Sequence, residues 1–307
     1  MYPRPLSLTV AAVLFLGLTG CGSDATDTPA ASSSAAPGCT TDTTTGREDA
    51  KLLPIPPATV TVLDAGQGAR RTAGAAPNRD SAQSVTLVTT SSVASAGERD
   101  AQTVEMPLRA QFSCTDSTDL EMTLGAVTAP DPILAEQLQP VEGSRAGLAI
   151  GPGAMPISLR LLPAEQAGPE ARSAVEQSLI QALQLSVPLP TEPIASGARW
   201  RVERTINAAT TITQHIDATL TSWTDDRLVI DVTVDQTPTN SVFAIPGSAD
   251  TLTIGRYTDT GTGQITVDLG RGLPVAGTIT MSGARELVGA DPNKPLLQQT
   301  GLSVQWR

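Results

Sequence analysis

"TITQHIDATLTSW" (Thr211–Trp223) and "RLVIDVTVDQ" (Arg227–Gln236) are the stretches that decide the fold class. Apolar residues alternate with polar or charged residues along both, which is typical of β-strands with one buried face and one solvated face. The connecting "WTDDRL" predicts a hairpin with its turn at Asp225 and Asp226. We therefore expect an antiparallel pair of strands here.

The same alternation continues to the C-terminus in "TLTIGRYTDT" (251–260), "GQITVDL" (263–269), "VAGTITMSGARELV" (275–288) and "GLSVQWR" (301–307). Upstream, residues 58–64, 84–94, 103–113 and 120–129 are rich in Val, Thr and Leu and are separated by turn-forming sequences. These patterns predict long antiparallel strands in both parts of the chain.

Two helices interrupt the strand pattern. Pro169 opens the main one (169–186), in which Val175, Leu179 and Leu183 recur along one apolar face. A short helix (132–139) follows Asp131 as a possible N-cap. We expect an α+β fold, mainly β, in which the sheet packs on these helices either as an open sheet or as a half-barrel. Residues 52–190 and 191–307 would form two packed halves.

"LFLGLTGCG" (14–22) follows a short apolar N-terminus with one charged residue, Arg4. The apolar run is too short to span a bilayer and matches the core of a secretory signal peptide, residues 1–20. Leu18, Thr19, Gly20 and Cys21 resemble a bacterial lipobox, in which small residues admit the signal peptidase and the thiol accepts diacylglycerol. Cys21 is thus the predicted lipid anchor; the alternative is a plain signal peptide with an accidental cysteine.

Residues 22–51 contain no Val, Ile, Leu, Met or aromatic residue. Such a segment buries too little apolar surface to offset its ordering entropy. We therefore expect residues 21–51 to be a disordered tether between the membrane and a folded part.

Cys39 and Cys114 are the other two cysteines. An even pair in an exported protein predicts a disulfide. Two free thiols are the alternative, because Cys39 lies within the predicted tether.

Composition excludes several partners. Removing residues 1–20 removes Arg4 and no acid, so 19 basic and 31 acidic residues remain and the net charge is −12. An acidic chain does not suit nucleic acid or electrostatic docking on anionic lipid. The mature chain has only six aromatic residues, which makes a sugar-binding platform less favourable.

The sequence contains no catalytic signature. His215 is the only histidine and falls on the solvated side of its strand, so we interpret it as a surface residue. Nucleophile elbows, zinc-protease motifs and phosphate loops are absent from the sequence, and the acidic residues lack calcium-loop spacing. We predict no enzyme, no metal and no cofactor other than the acyl lipid on Cys21; a hydrolase with paired carboxylates is a minor alternative.

"VPLPTEPIASGARWRV" (187–202) resembles a phrase in a family of uncharacterised actinobacterial lipoproteins, as do "ATVTVLDAGQGARR" (58–71) and "QITVDLGRGLPVAGTITMSG" (264–283). Ile194–Ser196 departs from the pattern expected there. A looser, architectural resemblance links the chain to lipoprotein carriers, whose half-barrel sheet holds acyl chains around helices. These resemblances imply a membrane-anchored envelope protein without an established activity.

We therefore expect an extracytoplasmic, lipid-anchored protein that binds or carries an apolar or amphipathic envelope molecule. The alternative is a structural or protein-binding module with a solid core. A dry cavity of several hundred Å³ would favour the carrier, since ligand pockets have about 300–1,000 Å³. The predicted lining residues are Val175, Leu179, Leu183, Ile212, Ile216, Leu220, Leu228, Ile230 and Val232.

Overall fold

A computed structural model describes residues 38–74 and 76–307 of this chain. The described residues belong to one compact unit. The predicted signal peptide and the lipidation site at Leu18, Thr19, Gly20 and Cys21 lie outside the described residues. No helix among the described residues is long and apolar enough to cross a membrane.

The described chain contains two α-helices and fourteen strands. The helices are α1 (Pro132–Leu138) and α2 (Pro169–Gln184). The strands are β1 (Lys51–Pro54), β2 (Ala58–Asp64), β3 (Gln83–Ser95), β4 (Glu98–Phe112), β5 (Asp119–Leu124), β6 (Arg145–Gly151), β7 (Met155–Leu162), β8 (Arg199–Asn207), β9 (Thr211–Thr224), β10 (Arg227–Pro238), β11 (Val242–Ala244), β12 (Thr251–Asp268), β13 (Ala276–Val288) and β14 (Leu296–Trp306).

All fourteen strands form a single sheet, and the pairings between the named strands are antiparallel. Its order is β1-β7-β6-β5-β4-β3-β14-β13-β12-β10-β9-β8-β2, with β11 paired to β12 beside this path. The sheet is not closed, because the edge strands β1 and β2 do not pair with each other. The predicted mainly-β fold with a long antiparallel sheet is confirmed.

The core lies on one face of this sheet, which we call the inner face. Strands β8, β9 and β10 bury every second residue on it, as the alternation predicts. Helix α2 buries one stripe on the same core: Ala171, Ala174, Val175, Ser178, Leu179, Ala182 and Leu183. Ser178 of α2 accepts a hydrogen bond of 2.9 Å from the Thr89 hydroxyl of β3. The inner face is therefore covered by α2 over part of its length.

The predicted helices and hairpin are confirmed to within two residues. Asp131 caps α1 by accepting a 2.7 Å hydrogen bond from the Leu134 amide, which satisfies a donor that the first helical turn leaves free. The β9–β10 hairpin turns at Asp225 and Asp226, and Asp225 has a φ of 52°. A residue with a positive φ reverses the chain within a two-residue connection.

The two predicted halves share one sheet. Strand β2 of the first half pairs with β8 of the second, and β3 pairs with β14. The helix-to-strand connector also joins them: Trp200 is fully buried and donates a 3.0 Å hydrogen bond from Nε1 to the Pro188 carbonyl.

The predicted tether is corrected for residues 38–51, which pack on the sheet. Thr44 is fully buried, and its amide and hydroxyl donate hydrogen bonds of 2.7 and 2.9 Å to Glu121 Oε1. Arg160 pairs with both Asp119 and Glu121 beneath this segment. Composition alone missed these contacts, because polar contacts rather than apolar burial hold residues 38–50. The rest of the predicted tether, 21–37, lies outside the described residues.

The predicted disulfide between Cys39 and Cys114 is confirmed, with a Cα–Cα distance of 5.0 Å. It lies beside a short bridge in which the Thr40 amide donates to the Phe112 carbonyl at 3.0 Å. The covalent and hydrogen-bonded contacts together fasten the N-terminal segment to the end of β4.

Replacing Glu121 by Gln should lower the free energy of unfolding by about 3 kcal/mol, because it removes the buried carboxylate that pairs with the partly buried Arg160. Urea unfolding at pH 7 measures the change. The control is Asp49→Asn, which removes an exposed ion pair to Arg47 in the same segment and should have no measurable effect. Equal stability of wild type and Glu121→Gln would show that this network does not hold the segment.

Candidate functional site

The inner face contains an apolar cavity beside the C-terminal end of α2. Its volume is about 80 Å³, and Leu183, Ile265, Ile279, Val304 and Trp306 are among its lining residues. Pockets for small-molecule ligands generally have about 300–1,000 Å³. In this conformation the cavity is too small for a whole amphipathic molecule.

The nine predicted lining residues are all buried: Val175, Leu179, Leu183, Ile212, Ile216, Leu220, Leu228, Ile230 and Val232. Leu183 lines the cavity just described, and Val175 lines a smaller hollow of about 20 Å³. The other seven border neither hollow and pack within the protein. Ligand binding by these residues stays a prediction.

Beyond the part covered by α2, the inner face is half-exposed and polar. Tyr257 of β12, Arg285 of β13 and Gln298 of β14 stand opposite one another in register. One step closer to the cavity, Asp259 and Thr300 lie on either side of Gly283. We call these five side chains the polar rows; all of them are half-buried.

The polar rows are linked to one another and to a buried aromatic ring. Arg285 Nε donates a 2.8 Å hydrogen bond to Gln298 Oε1, and its guanidinium lies 4.5 Å from the centre of the Phe243 ring. Burial raises the pKa of Tyr257 to about 12 and that of Asp259 to about 6, and it lowers the pKa of Arg285. Tyr257 therefore stays protonated at neutral pH, while Asp259 titrates just below it.

Glycines connect the cavity to the polar rows. Along β12, Asp259, Gly261, Gly263 and Ile265 alternate on the inner face. A Cβ on Gly261 would lie 2.6 Å from Met281 Cγ, and one on Gly263 would lie 2.2 Å from the Thr278 carbonyl oxygen. The close approach of β13 excludes side chains at these two positions of β12, and the Met281 and Ile279 side chains of β13 lie over the glycines between the cavity wall and Asp259.

Two further polar residues lie on the inner face and are fully buried. Arg204 of β8 stands opposite Gln214 of β9, which stands opposite Gln236 of β10. Arg204 donates to the Leu183 carbonyl at 3.1 Å and to the Ser186 carbonyl at 2.8 Å, at the end of α2. Burial lowers its pKa to about 10, so it stays charged at neutral pH.

Sequence reasoning missed these buried polar residues and the polar rows. The signal was present in the alternation itself, since Arg204 occupies an inward position between Val202 and Ile206. Gln214 does the same between Ile212 and Ile216. A polar residue at an inward position of an otherwise apolar strand indicates either a buried hydrogen-bond network or a site.

His215 lies on the outer face, as the alternation predicts. It is about one-third exposed, and its Nε2 is 2.8 Å from Glu203 Oε2 on the neighbouring strand. Among the described residues no group of three or more His, Cys, Asp and Glu side chains is placed to hold a metal ion.

No protein-family model matches this chain, and no curated protein matches it. Among solved structures it is similar to a chain from a study of lipid–protein interactions in lipovitellin, with 9% sequence identity and a TM-score of 0.39. The similarity covers 73% of this chain and 25% of the lipovitellin-study chain. This chain therefore spans about a quarter of the length of that one.

Replacing Asp259 by Asn should stabilise the protein at pH 7 and leave its stability unchanged near pH 4. The folded-state pKa of about 6 lies above the ordinary value of 3.8, so the folded protein binds the proton more tightly. The stability from that proton is present below about pH 4 and is lost as the pH rises through 6. Allowing for solvent screening of a half-exposed group, we expect a gain of about 1 kcal/mol at pH 7.

Urea unfolding of both proteins between pH 4 and pH 8 measures this difference. The control is Asp100→Asn, which removes an exposed carboxylate and should show no such pH dependence. A constant difference between Asp259→Asn and wild type across this range would contradict the raised pKa.

Proposed function

We propose that this protein binds an amphipathic molecule of the cell envelope on the inner face of its sheet, without catalysis and without a cofactor. The observation that carries the proposal is that one face presents an apolar cavity at one end and half-buried polar rows at the other. An apolar chain and a polar head group have complementary surfaces there.

The dimensions of the inner face suit one acyl chain. Six residue steps along β12 separate Ile265 at the cavity from Asp259 at the polar rows, which corresponds to about 20 Å. An acyl chain occupies about 15 Å, half of a 30 Å bilayer core. A chain running from the polar rows to the cavity would have this length, and it would displace the Met281 and Ile279 side chains, which lie over Gly261 and Gly263.

Binding requires the cavity to enlarge. The C-terminal end of α2, with Ala182 and Leu183, and the following Ser186 form one wall. Four of the seven buried side chains of α2 are Ala or Ser, which favours a shift of this end over a rearrangement of the hydrogen-bonded strands. The ligand would take the place of the helix end against β12, β13 and β14.

A second candidate function is a structural or protein-binding module with a solid core. The small volume of the cavity favours it, since about 80 Å³ is also the size of a packing defect. Filling the cavity distinguishes the two functions: it would abolish ligand binding by a carrier, whereas it would only stabilise a solid module.

We further propose that acylation of Cys21 anchors the protein at the outer side of the cell membrane, after removal of residues 1–20. The lipobox-like Leu18–Cys21 sequence and the resemblance to actinobacterial lipoproteins support this. Because residues 38–51 pack on the sheet, only seventeen residue steps separate Cys21 from Gly38. They span at most about 60 Å, so the folded unit stays within that distance of the membrane.

Replacing Ala182 by Leu should fill the cavity and abolish ligand binding. Ala182 is buried at the cavity wall, and three added carbons fit the available space. Native mass spectrometry of the protein from an actinobacterial host should show an added mass, lost on denaturation, for wild type and not for this variant. The free energy of unfolding should stay within about 1 kcal/mol of wild type, since a filled cavity offsets local strain.

The matched control is Gln177→Leu, which adds an apolar side chain on the exposed side of the same helix and should retain the ligand. A bare protein mass for wild type, together with a more stable Ala182→Leu variant, would contradict ligand binding and favour the solid module.

Replacing Cys21 by Ser in the full chain should release the protein from the membrane fraction of an actinobacterial host, because the hydroxyl cannot accept the diacylglycerol. Cell fractionation and the mass of the N-terminal peptide measure the outcome. Cys39→Ser is a suitable control, since it opens the Cys39–Cys114 disulfide without removing the proposed anchor and should leave the protein in the membrane fraction. Membrane retention of Cys21→Ser would contradict the anchor.

A further inference from the structure

Arg204 is a buried cation without a counter-ion among the described residues. Only 3% of it is exposed, and its hydrogen-bond acceptors are the Leu183 carbonyl and the carbonyl and hydroxyl of Ser186. These acceptors explain its position, because a cation is favourable at a helix C-terminus. They leave Nε without a hydrogen-bond partner. Buried charges in proteins are generally paired with an opposite charge.

Gln214, directly opposite Arg204, is more unusual. It is 1% exposed, and neither its amide oxygen nor its amide nitrogen has a partner among the described residues. Leaving such a group without a partner in the interior is destabilising, because its hydrogen bonds to water are lost and not replaced. Side chains directly opposite on neighbouring strands have Cβ atoms about 5 Å apart. Arg204 Nε and the Gln214 amide can therefore contact one small group together.

Arg204 links this pair to the cavity through the residues whose carbonyls it binds. Leu183 near the end of α2 and Ser186 just beyond it, whose carbonyls accept hydrogen bonds from Arg204, also line the cavity. Gln214 itself lies at the polar-row end of the inner face: it is opposite Gln236, and the neighbouring Asp235 is opposite Thr260, so Gln214 is level with Asp259. A movement of the α2 end that enlarges the cavity would break the hydrogen bonds from Arg204 to Leu183 and Ser186 and free the guanidinium for a ligand.

We infer that Arg204 and Gln214 bind the acidic group, carboxylate or phosphate, of an amphipathic ligand whose chain occupies the cavity. The inference rests on the proposed function. The unpartnered atoms offer three N–H donors, one on Arg204 Nε and two on Gln214 Nε2, against one acceptor. An anionic oxygen group accepts from all three and supplies the missing negative charge. An alcohol or an amine would satisfy fewer of them.

The test compares ligands that differ only in the head group. Dodecanoate, dodecyl phosphate and dodecanol are titrated calorimetrically, below their aggregation concentrations, into the full chain carrying Cys21→Ser. We expect both acids to bind at least tenfold more tightly than the alcohol. Acetate and inorganic phosphate, which lack the chain, should bind at least a hundredfold more weakly than the long-chain acids.

The Gln214→Leu variant tests whether Gln214 binds the acidic group, and we expect this variant to fold as stably as wild type. Removing an unpartnered amide should not lower the free energy of unfolding, whereas acid affinity should fall at least tenfold and dodecanol affinity should not change. The control is Gln264→Leu on the outer face, where the glutamine donates to Asp231, and it should alter no affinity.

Three outcomes would overturn the inference. Equal affinity for dodecanoate and dodecanol would exclude an acid site. Unchanged acid affinity in a stabilised Gln214→Leu variant would show that the amide holds a water molecule only. Acetate or phosphate binding as tightly as dodecanoate would indicate a free-anion site. The proposed function itself would stand in the first two cases and would fail only if no chain-bearing ligand binds.

Discussion

Three residues, Ile55 to Pro57, connect the strands at opposite edges of the sheet. Thirteen strands at about 4.8 Å would separate the edges of a flat sheet by about 58 Å, whereas this connection spans at most about 15 Å. The sheet must therefore curl until its edges nearly meet. Ile55 fixes this connection to the sheet, since it is buried in the core and its amide donates a 3.0 Å hydrogen bond to the Ile157 carbonyl of β7. Curling creates an inner face, and α2 and the cavity lie on that face.

The sequence predicts the features of this sheet that depend on neighbours along one strand, and it does not predict those that depend on distant partners. Alternation depends on neighbours along one strand, so the burial of Leu228, Ile230 and Val232 follows directly from the pattern. Strand order depends on partners distant in sequence, such as β2 with β8, and no local pattern encodes it. Residues 38–50 were misinterpreted for a related reason. Their partners Asp119 and Glu121 are more than seventy residues away, and polar segments give no periodic signal.

The candidate site was only partly predictable, because its distinctive residues break the pattern that located the strands. Leu183 was found, since it belongs to the apolar stripe of α2. Arg204 and Gln214 were not, although each occupies an inward position. The sequence analysis missed the polar rows for another reason. Glycines at positions 261 and 263 and the register shift between Ile254 and Arg256 obscure the alternation of β12, so the inward direction of Tyr257 and Asp259 emerges only from the pairing.

The fold explains why Arg204 is buried, but it does not explain why Gln214 is. Arg204 satisfies carbonyls at the end of α2, so a structural role accounts for its presence and for most of its donors. The Gln214 amide has no hydrogen-bond partner among the described residues, and a leucine there would match Ile212 and Ile216 without the cost of a buried unpartnered amide. A fold optimised for stability alone would have an apolar residue at this position. The amide is therefore better explained by a group that the protein binds than by the packing of the sheet.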